Sequence, residues 1–391
     1  MKKKDVGCIV MGGYVNGYSI IQELYENKVC NIILIDYCKD SAYYSNKLQE
    51  KYLIGKSASS LLSMLENIHT RYEKLIMYPT QDIHLIHLSE IREKISSYCF
   101  LAFNADTVVE FQNKYIQYDF CEKNGIPYPK SVYINTDADL QKIRLLEFPV
   151  IVKPVIRDNL SCKVFRNVVL KTEQDITSLQ KRILPLLPGN PFIASEVIPG
   201  SAENIYAYVA YRNKKGEILG EWTGKKLSQF PNDFGVFSSA KAEKNHIVLE
   251  QGRKLVHAMN LYGISEPEFK YDVRDGKYKL MEINLRPMMW HRVGALNGIS
   301  LNYIQYQDAI SMEIPVQTGK ASYKSLHFVH LGYELLNLVS RKSYGRIFYR
   351  NIFRADKIAL VLFDRKDMKP FCYSFFSILK KIFHKIKRDK I

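Results

Sequence analysis

The chain is expected to combine α/β and α+β architecture, and three stretches carry that expectation. Residues 6–36 read as strand, glycine turn, helix and strand, a β-α-β unit. From residue 113 onward strands and helices alternate, with no internal repeat and no low-complexity segment. The stretch PEFKYDVRDGKYKLMEINLRP, residues 267–287, reads as two strands of period two around a tight turn.

A length of 391 residues suits roughly two to three domains. Hydrophobic content of 47% and charged content of 25% are ordinary for a globular protein. The formal net charge of +16 is not, and it calls for an anionic partner: a nucleotide, a phosphorylated or acidic substrate, nucleic acid or an anionic membrane surface. The seven cysteines are odd in number and lack metal-ligand spacing, so a reducing cytosol without disulfides or structural zinc is expected. Gly12 and Gly13 interrupt the first apolar run, which therefore reads as a strand and not as a signal peptide. No run approaches the roughly 18 apolar residues of a membrane-spanning helix.

In order, VGCIVM (6–11) is a buried strand, 12–17 a turn, 18–27 a helix and 31–36 a strand ending in Asp36. Helical patterns follow at 57–68, 81–94 and 106–124, with a short strand near 74–77. Residues 1–105 are thus expected to form a Rossmann-like domain. Beyond it, helix 113–124 runs into GIPYPKS, and FPVIVKP (148–154) is a buried strand closed by Lys153 and Pro154. A strand and a helix capped near Thr172, with Asp175 completing the cap, come next. Residues 191–200 form a strand ending in Pro-Gly, strands 204–212 and 217–223 flank an Asn-Lys-Lys-Gly turn, and a helix covers 247–260. The expected units are 106–192, 193–315 and a C-terminal extension, 316–391.

Alternation sets Leu280, Glu282, Asn284 and Arg286 on one strand face and Met281, Ile283 and Leu285 on the other. On the partner strand Glu268, Lys270 and Asp272 alternate with Phe269, Tyr271 and Val273. A three-residue loop, Arg274-Asp275-Gly276, places Glu268 across from Glu282; a two-residue loop would put Ile283 there. Two carboxylates and an amide oxygen so close together ask for a cation, and all-oxygen ligation suits Mg²⁺ or Mn²⁺ sharing phosphate oxygens. Lys270 and Arg286 add positive charge that suits phosphate. On these residues alone, a solvated hairpin with cross-strand pairs such as Glu282–Lys270 is an equal reading. Lys114, Lys153, Lys225 and Lys226 each stand where a strand or helix ends, and Lys153, leaving the apolar Val150-Ile151-Val152, needs an anion or a water-filled cleft. SEVIPG offers Glu196 and the Ile198 backbone to an adenine edge, and Glu203, which follows it, to ribose hydroxyls; an edge strand and turn is an equal reading of the same residues.

In this order the elements resemble the ATP-grasp superfamily of carboxylate–amine ligases over roughly residues 6–310. NKYIQYDFCEKNGIPYP, FPVIVKP, SEVIPG, GKKLSQFPNDFGVFSS and EFKYDVRDGKYKLMEINLRP carry the likeness. The chain looks most similar to D-aspartate ligase-like and carbamoyl-phosphate-synthase-like members, often linked with cell-wall or surface-polysaccharide synthesis. The resemblance implies a pre-ATP-grasp domain followed by two α+β subdomains, with ATP and Mg²⁺ (or Mn²⁺) as cofactors. It implies Lys114 and Lys153 on ATP phosphates, Glu196 and Ile198 as adenine hinge, Glu203 on ribose, and Lys225 or Lys226 at the γ-phosphate or acyl substrate. It further implies Glu268, Glu282 and Asn284 as metal ligands and Arg286 as stabiliser of an acyl-phosphate and tetrahedral intermediate, with Lys270 counted among the catalytic cations. The loop after Lys153, PVIRDNLSCKVF, lacks the glycines many members fold over the triphosphate, leaving Ser161 or Lys163 for that task.

Two other readings compete. Gly12-Gly13-x-x-x-Gly17 with Asp36 resembles a dinucleotide fingerprint of wrong spacing, which would make an NAD-dependent oxidoreductase. A nucleotide-binding module without ligase activity, serving regulation or scaffolding, is the third class. The expected partners are small-molecule or lipid-linked carboxylates and amines, and not nucleic acid. Phe371, Phe375, Ile378, Leu379, Ile382, Phe383 and Ile386 recur at helical spacing among basic residues. The tail, 371–391, therefore reads either as a docked terminal helix or as a peripheral contact with an anionic membrane, and the location as cytoplasmic, at the inner membrane face in the second case. His257, His291, Trp290 and Tyr303 are candidate acceptor-pocket residues, and each is as readily core or surface.

Overall fold

The computed structural model describes residues 4–155, 165, 167–187, 189–314 and 325–388, with side chains through Leu379 in the last helix. The opening β-α-β unit grows into a parallel five-stranded sheet. Its order is Glu50–Leu53, Ile32–Asp36, Lys4–Met11, Tyr72–Pro79 and Cys99–Leu101. The central strands are buried along nearly their whole length because helices cover both faces. The first and last of these strands were not expected; both are short and sit at the edges. The helix pattern at 106–124 breaks at Gln112-Asn113, where the Asn113 side chain accepts the Tyr115 amide and starts a new helix, Lys114–Lys123.

Four antiparallel strands follow as a separate small sheet, in the order Ser131–Ile134, Phe192–Glu196, Val150–Pro154 and Val168–Leu170. The sheet has its own core of Ile134, Val150, Val152, Leu170, Ile176, Leu179 and Phe192. Asp175 accepts the Lys171 and Thr172 amides at 2.7 and 3.0 Å, the return half of the expected cap, and the helix runs Asp175–Ile183.

The third sheet has seven strands. Its order is Lys277–Asn284, Gly263–Asp272, Ile205–Arg212, Ile218–Phe230, Val236–Ala242, Leu326–Val329 and Lys357–Leu360. The last two come from the segment expected as a C-terminal extension. That segment also grips the first domain: buried Asp367 accepts the Ser45 hydroxyl at 2.5 Å and the Tyr18 hydroxyl at 3.1 Å. Within the final helix, Lys369–Arg388, Ile378 packs on Gly332 and Tyr373 lies 4.7 Å ring to ring from Tyr44. Its first half is therefore docked on the protein. No described helix is long and apolar enough to cross a membrane.

Candidate functional site

The hairpin pairs Glu268 with Glu282, as expected, but by another route. Asp272 pairs with Lys277, so the loop holds four residues, 273–276, with Gly276 at φ +70°. A bulge opposite the Glu268/Phe269 step then restores the expected pairing. The extra residue reverses the alternation. Leu280 is not on the face of Glu282; it is fully buried with Phe269 and Ile283, and Met281 turns to the cleft. The outer edge of this strand is closed from the helix 114–123 region. Gln117 brackets Ile283 by donating to its carbonyl at 3.0 Å and accepting its amide at 2.8 Å, and the Tyr118 hydroxyl donates to the Met281 carbonyl. The same helix start brings the Lys114 ammonium 2.8 Å from Glu282.

A cleft of about 960 Å³ opens between the small sheet, the large sheet and the first domain. Lys114, Lys153, Glu196, Ile198, Lys226, Glu268, Lys270, Glu282, Asn284 and Arg286 all line it. Lys226 forms a 2.5 Å ion pair with Glu268, both nearly out of solvent. Burial lifts the Glu268 carboxyl to about 7, with Glu266 and Glu282 adding to the rise and Lys226 opposing it. For Lys226, burial is outweighed by Glu268, Glu266 and Glu282, which keep it protonated. Arg286 donates from Nε to Asp82 at 2.6 Å, joining the first domain to the end of the hairpin. Burial would raise the Asp82 carboxyl, but Arg286 and then Lys114 hold it below the usual range.

Three expected residues are placed differently. Lys225 is outside the cleft, 3.6 Å from Glu243 and over the Tyr206 ring, because neighbouring residues of a strand face opposite sides and Lys226 took the inward one. Glu203 is not among the residues that line the cleft and forms a 2.7 Å ion pair with Arg350 from the C-terminal segment. Lys270 does line the cleft, and its ammonium is engaged by the Ile198 carbonyl, to which it donates at 2.7 Å. Glu196 accepts the Glu147 amide at 2.9 Å. Ser161 and Lys163 lie outside the described residues.

Glu266 and Asp82 were missed, as was the bond between Glu266 and His291. Glu266 is fully buried and lies 2.5 Å from the His291 ring nitrogen. Its signal was present: Glu266, Glu268 and Lys270 alternate along the chain, but the strand was read from residue 267 and begins at Gly263. Asp82 had no local signal, since it opens a helix of the first domain. Of the other candidates, Trp290 lines the cleft from a buried position, His257 is exposed on its helix, and Tyr303 stacks on Tyr306.

The glycine turn of the first domain is closed in on itself. Asp36 accepts the Gly13 amide at 2.7 Å and the Tyr37 amide at 2.6 Å and is buried, so its carboxylate is not offered to a ribose. Gly17 packs so tightly that a Cβ would run into the Gly12 carbonyl.

Does the cleft fit a divalent cation with phosphates? Among the described residues no three acidic, histidine or cysteine side chains converge closely enough to hold a metal unaided. Glu268, Glu282 and Asn284 instead supply a partial oxygen set, balanced by lysines, that phosphate oxygens and water would complete. Burial first, and then Glu266 and Glu282, raise the Glu268 carboxyl against the pull of Lys226. The donor set fits.

No protein-family model matches the chain. It is 22% identical to the D-aspartate ligase of Enterococcus faecium (strain Aus0004) over 406 residues, covering 96% of each chain. Among solved structures it resembles an ADP complex of N5-carboxyaminoimidazole ribonucleotide synthetase, with TM-score 0.64, 14% identity, and 87% of this chain and 85% of that one covered. It resembles the L-amino acid ligase of Bacillus licheniformis with TM-score 0.60, 15% identity, and 79% and 75% covered. For biotin carboxylase of Campylobacter jejuni the TM-score is 0.62 at 12% identity, with 83% and 74% covered.

Proposed function

We propose, from the premise that the chain belongs to the ATP-grasp superfamily of carboxylate–amine ligases, that it joins a carboxylate to an amine at the expense of ATP. The observation that carries this reading is the pairing of Glu268 with Glu282 across the hairpin, in one cleft with Lys114, Lys153, Lys226, Asn284 and Arg286. A carboxylate attacks the γ-phosphate to give an acyl-phosphate and ADP, and an amine then displaces phosphate to form the amide. The chain's part is to position and to neutralise. Lys114, Lys153 and Lys226 face the phosphates, and the Glu196–Ile198 hinge holds the base. Glu268, Glu282 and Asn284 would hold Mg²⁺, which when bound neutralises phosphate charge. Arg286, fixed by Asp82, meets the acyl group.

The test is ADP formation with ATP and Mg²⁺ across panels of acids and amines, D-aspartate first because the relative carries that name. Acid- and amine-dependent ADP release that Glu282→Gln abolishes supports ligation; release that this variant retains in full refutes it. A cell-wall or surface-polysaccharide setting, with lipid-linked substrates at the inner membrane face, is the finer part of the reading. Its support is the run of basic residues after the docked part of the tail. Removing residues 380–391 should abolish pelleting with anionic liposomes, and unchanged pelleting removes the membrane from the proposal.

A further inference from the structure

Glu266 sits directly across the hairpin from Asn284, and its carboxylate receives two donors. Asn284 Nδ2 donates to Oε1 at 3.2 Å, and His291 Nε2 lies 2.5 Å from Oε2. The direction of each bond follows from chemistry. His291 Nδ1 accepts the Met288 amide at 3.1 Å, so that nitrogen carries no proton. The proton is on Nε2 and is donated to Glu266. An ionised Glu266 only accepts, so it selects the NH₂ end of Asn284 and leaves the amide oxygen outside the pair. Glu266 is fully buried and His291 nearly so, which holds both in place.

We infer that Glu266 and His291 are positioning residues: the relay from the Met288 amide through His291 to Glu266 orients Asn284 so that its amide oxygen, and not its NH₂, is presented to a cation in the cleft. This rests on the proposed ligase reading, in which Asn284 is a cation ligand. Partners behind a ligand set its orientation, and their loss typically weakens metal binding by about 10- to 100-fold.

The arrangement can be inverted by substitution. Glu266→Gln keeps one oxygen for His291 and puts an NH₂ opposite Asn284, which can bond it only by turning its own oxygen to position 266 and its NH₂ to the cleft. Asn284→Asp faces Glu266 with a second carboxylate. Combining the two substitutions restores every bond. The new amide at position 266 accepts from His291 through its oxygen and donates its NH₂ to the new carboxylate at position 284, which again turns an oxygen to the cleft.

The experiment titrates Mn²⁺ into the full chain with a non-hydrolysable ATP analogue and reads free Mn²⁺ by electron paramagnetic resonance. Each single variant should bind about 10- to 100-fold more weakly than wild type, and the double variant about tenfold or more tighter than either. The inference is overturned if Glu266→Gln binds as wild type does, or if the losses simply accumulate in the double variant. Thermal unfolding checks that each variant folds. Should Glu266→Gln fail to fold, His291→Gln, which keeps a donor, is expected to bind Mn²⁺ more tightly than His291→Leu, and equal binding by the two overturns the relay. Folded wild type that takes up no Mn²⁺ with the analogue overturns the ligase reading itself, a result distinct from any difference among variants.

Discussion

The glycine turn at 12–17, with Asp36 beside it, and the hairpin at 263–284 both carry strand carboxylates, and the two put them to opposite use. Asp36 turns inward, where backbone amides of Gly13 and Tyr37 satisfy it. Glu268 and Glu282 turn into a cleft and meet lysine ammonium groups that a polyanion would also attract. A carboxylate satisfied by backbone donors has completed its role in the fold. A cleft cluster balanced by long cationic side chains, with one carboxyl lifted by burial, is the arrangement on which the proposed ligand site rests.

Substitution should separate the two regions. Glu282→Gln is expected to lower kcat for ATP-dependent ligation by about a hundred- to a thousandfold, with a melting temperature close to wild type. Next, Lys226→Met should cost about a hundredfold in rate, normalised to folded protein, whereas Lys225→Met should change it by less than about threefold. Equal effects would refute the assignment of faces.

The third contrast is with pH. Glu268 titrates near 7 when folded, above its ordinary value of 4.5, so between those values the folded chain holds a proton that the unfolded chain has lost. The stability from that proton is fully present below 4.5 and is lost as pH rises through about 7. Cation binding needs the carboxylate, so Mn²⁺ affinity should climb roughly tenfold per pH unit below that point and level off above it. Calorimetry in buffers of different ionisation enthalpy should show a proton released on binding at about pH 6.

Asp36→Asn should do the reverse of Glu282→Gln. One buried amide loses its acceptor, costing about 1–3 kcal/mol in urea unfolding with kcat unchanged. The smallest effect is expected at Glu203→Ala. Its ion pair with Arg350 is more than a third exposed, so stability should move by less than about 1 kcal/mol. The KM for ATP should stay within about threefold; a larger rise would bring Glu203 back to the ribose.

The hairpin was legible because alternation is local: a period of two names the faces wherever the strand is regular. It misled only at Leu280 and Met281, where a bulge inserts one residue, and no local pattern announces a bulge. The glycine turn was legible to a different degree. Its glycines resemble those of a dinucleotide-binding turn but at the wrong spacing, and the packing of Gly17 on Gly12 and of Asp36 on backbone amides adds how the turn is filled by its own chain.

From residue order alone came the parallel opening unit and the facing of Glu268 with Glu282 across a short hairpin, since each rests on periodicity within one stretch of chain. Folding in three dimensions settled which of Lys225 and Lys226 faces the cleft, that Asp82 anchors Arg286 from 204 residues away, and that residues 326–360 extend the sheet that carries the hairpin. Those outcomes turn on burial and on partners distant in sequence, and long-range contacts of that kind leave no periodic trace in the chain.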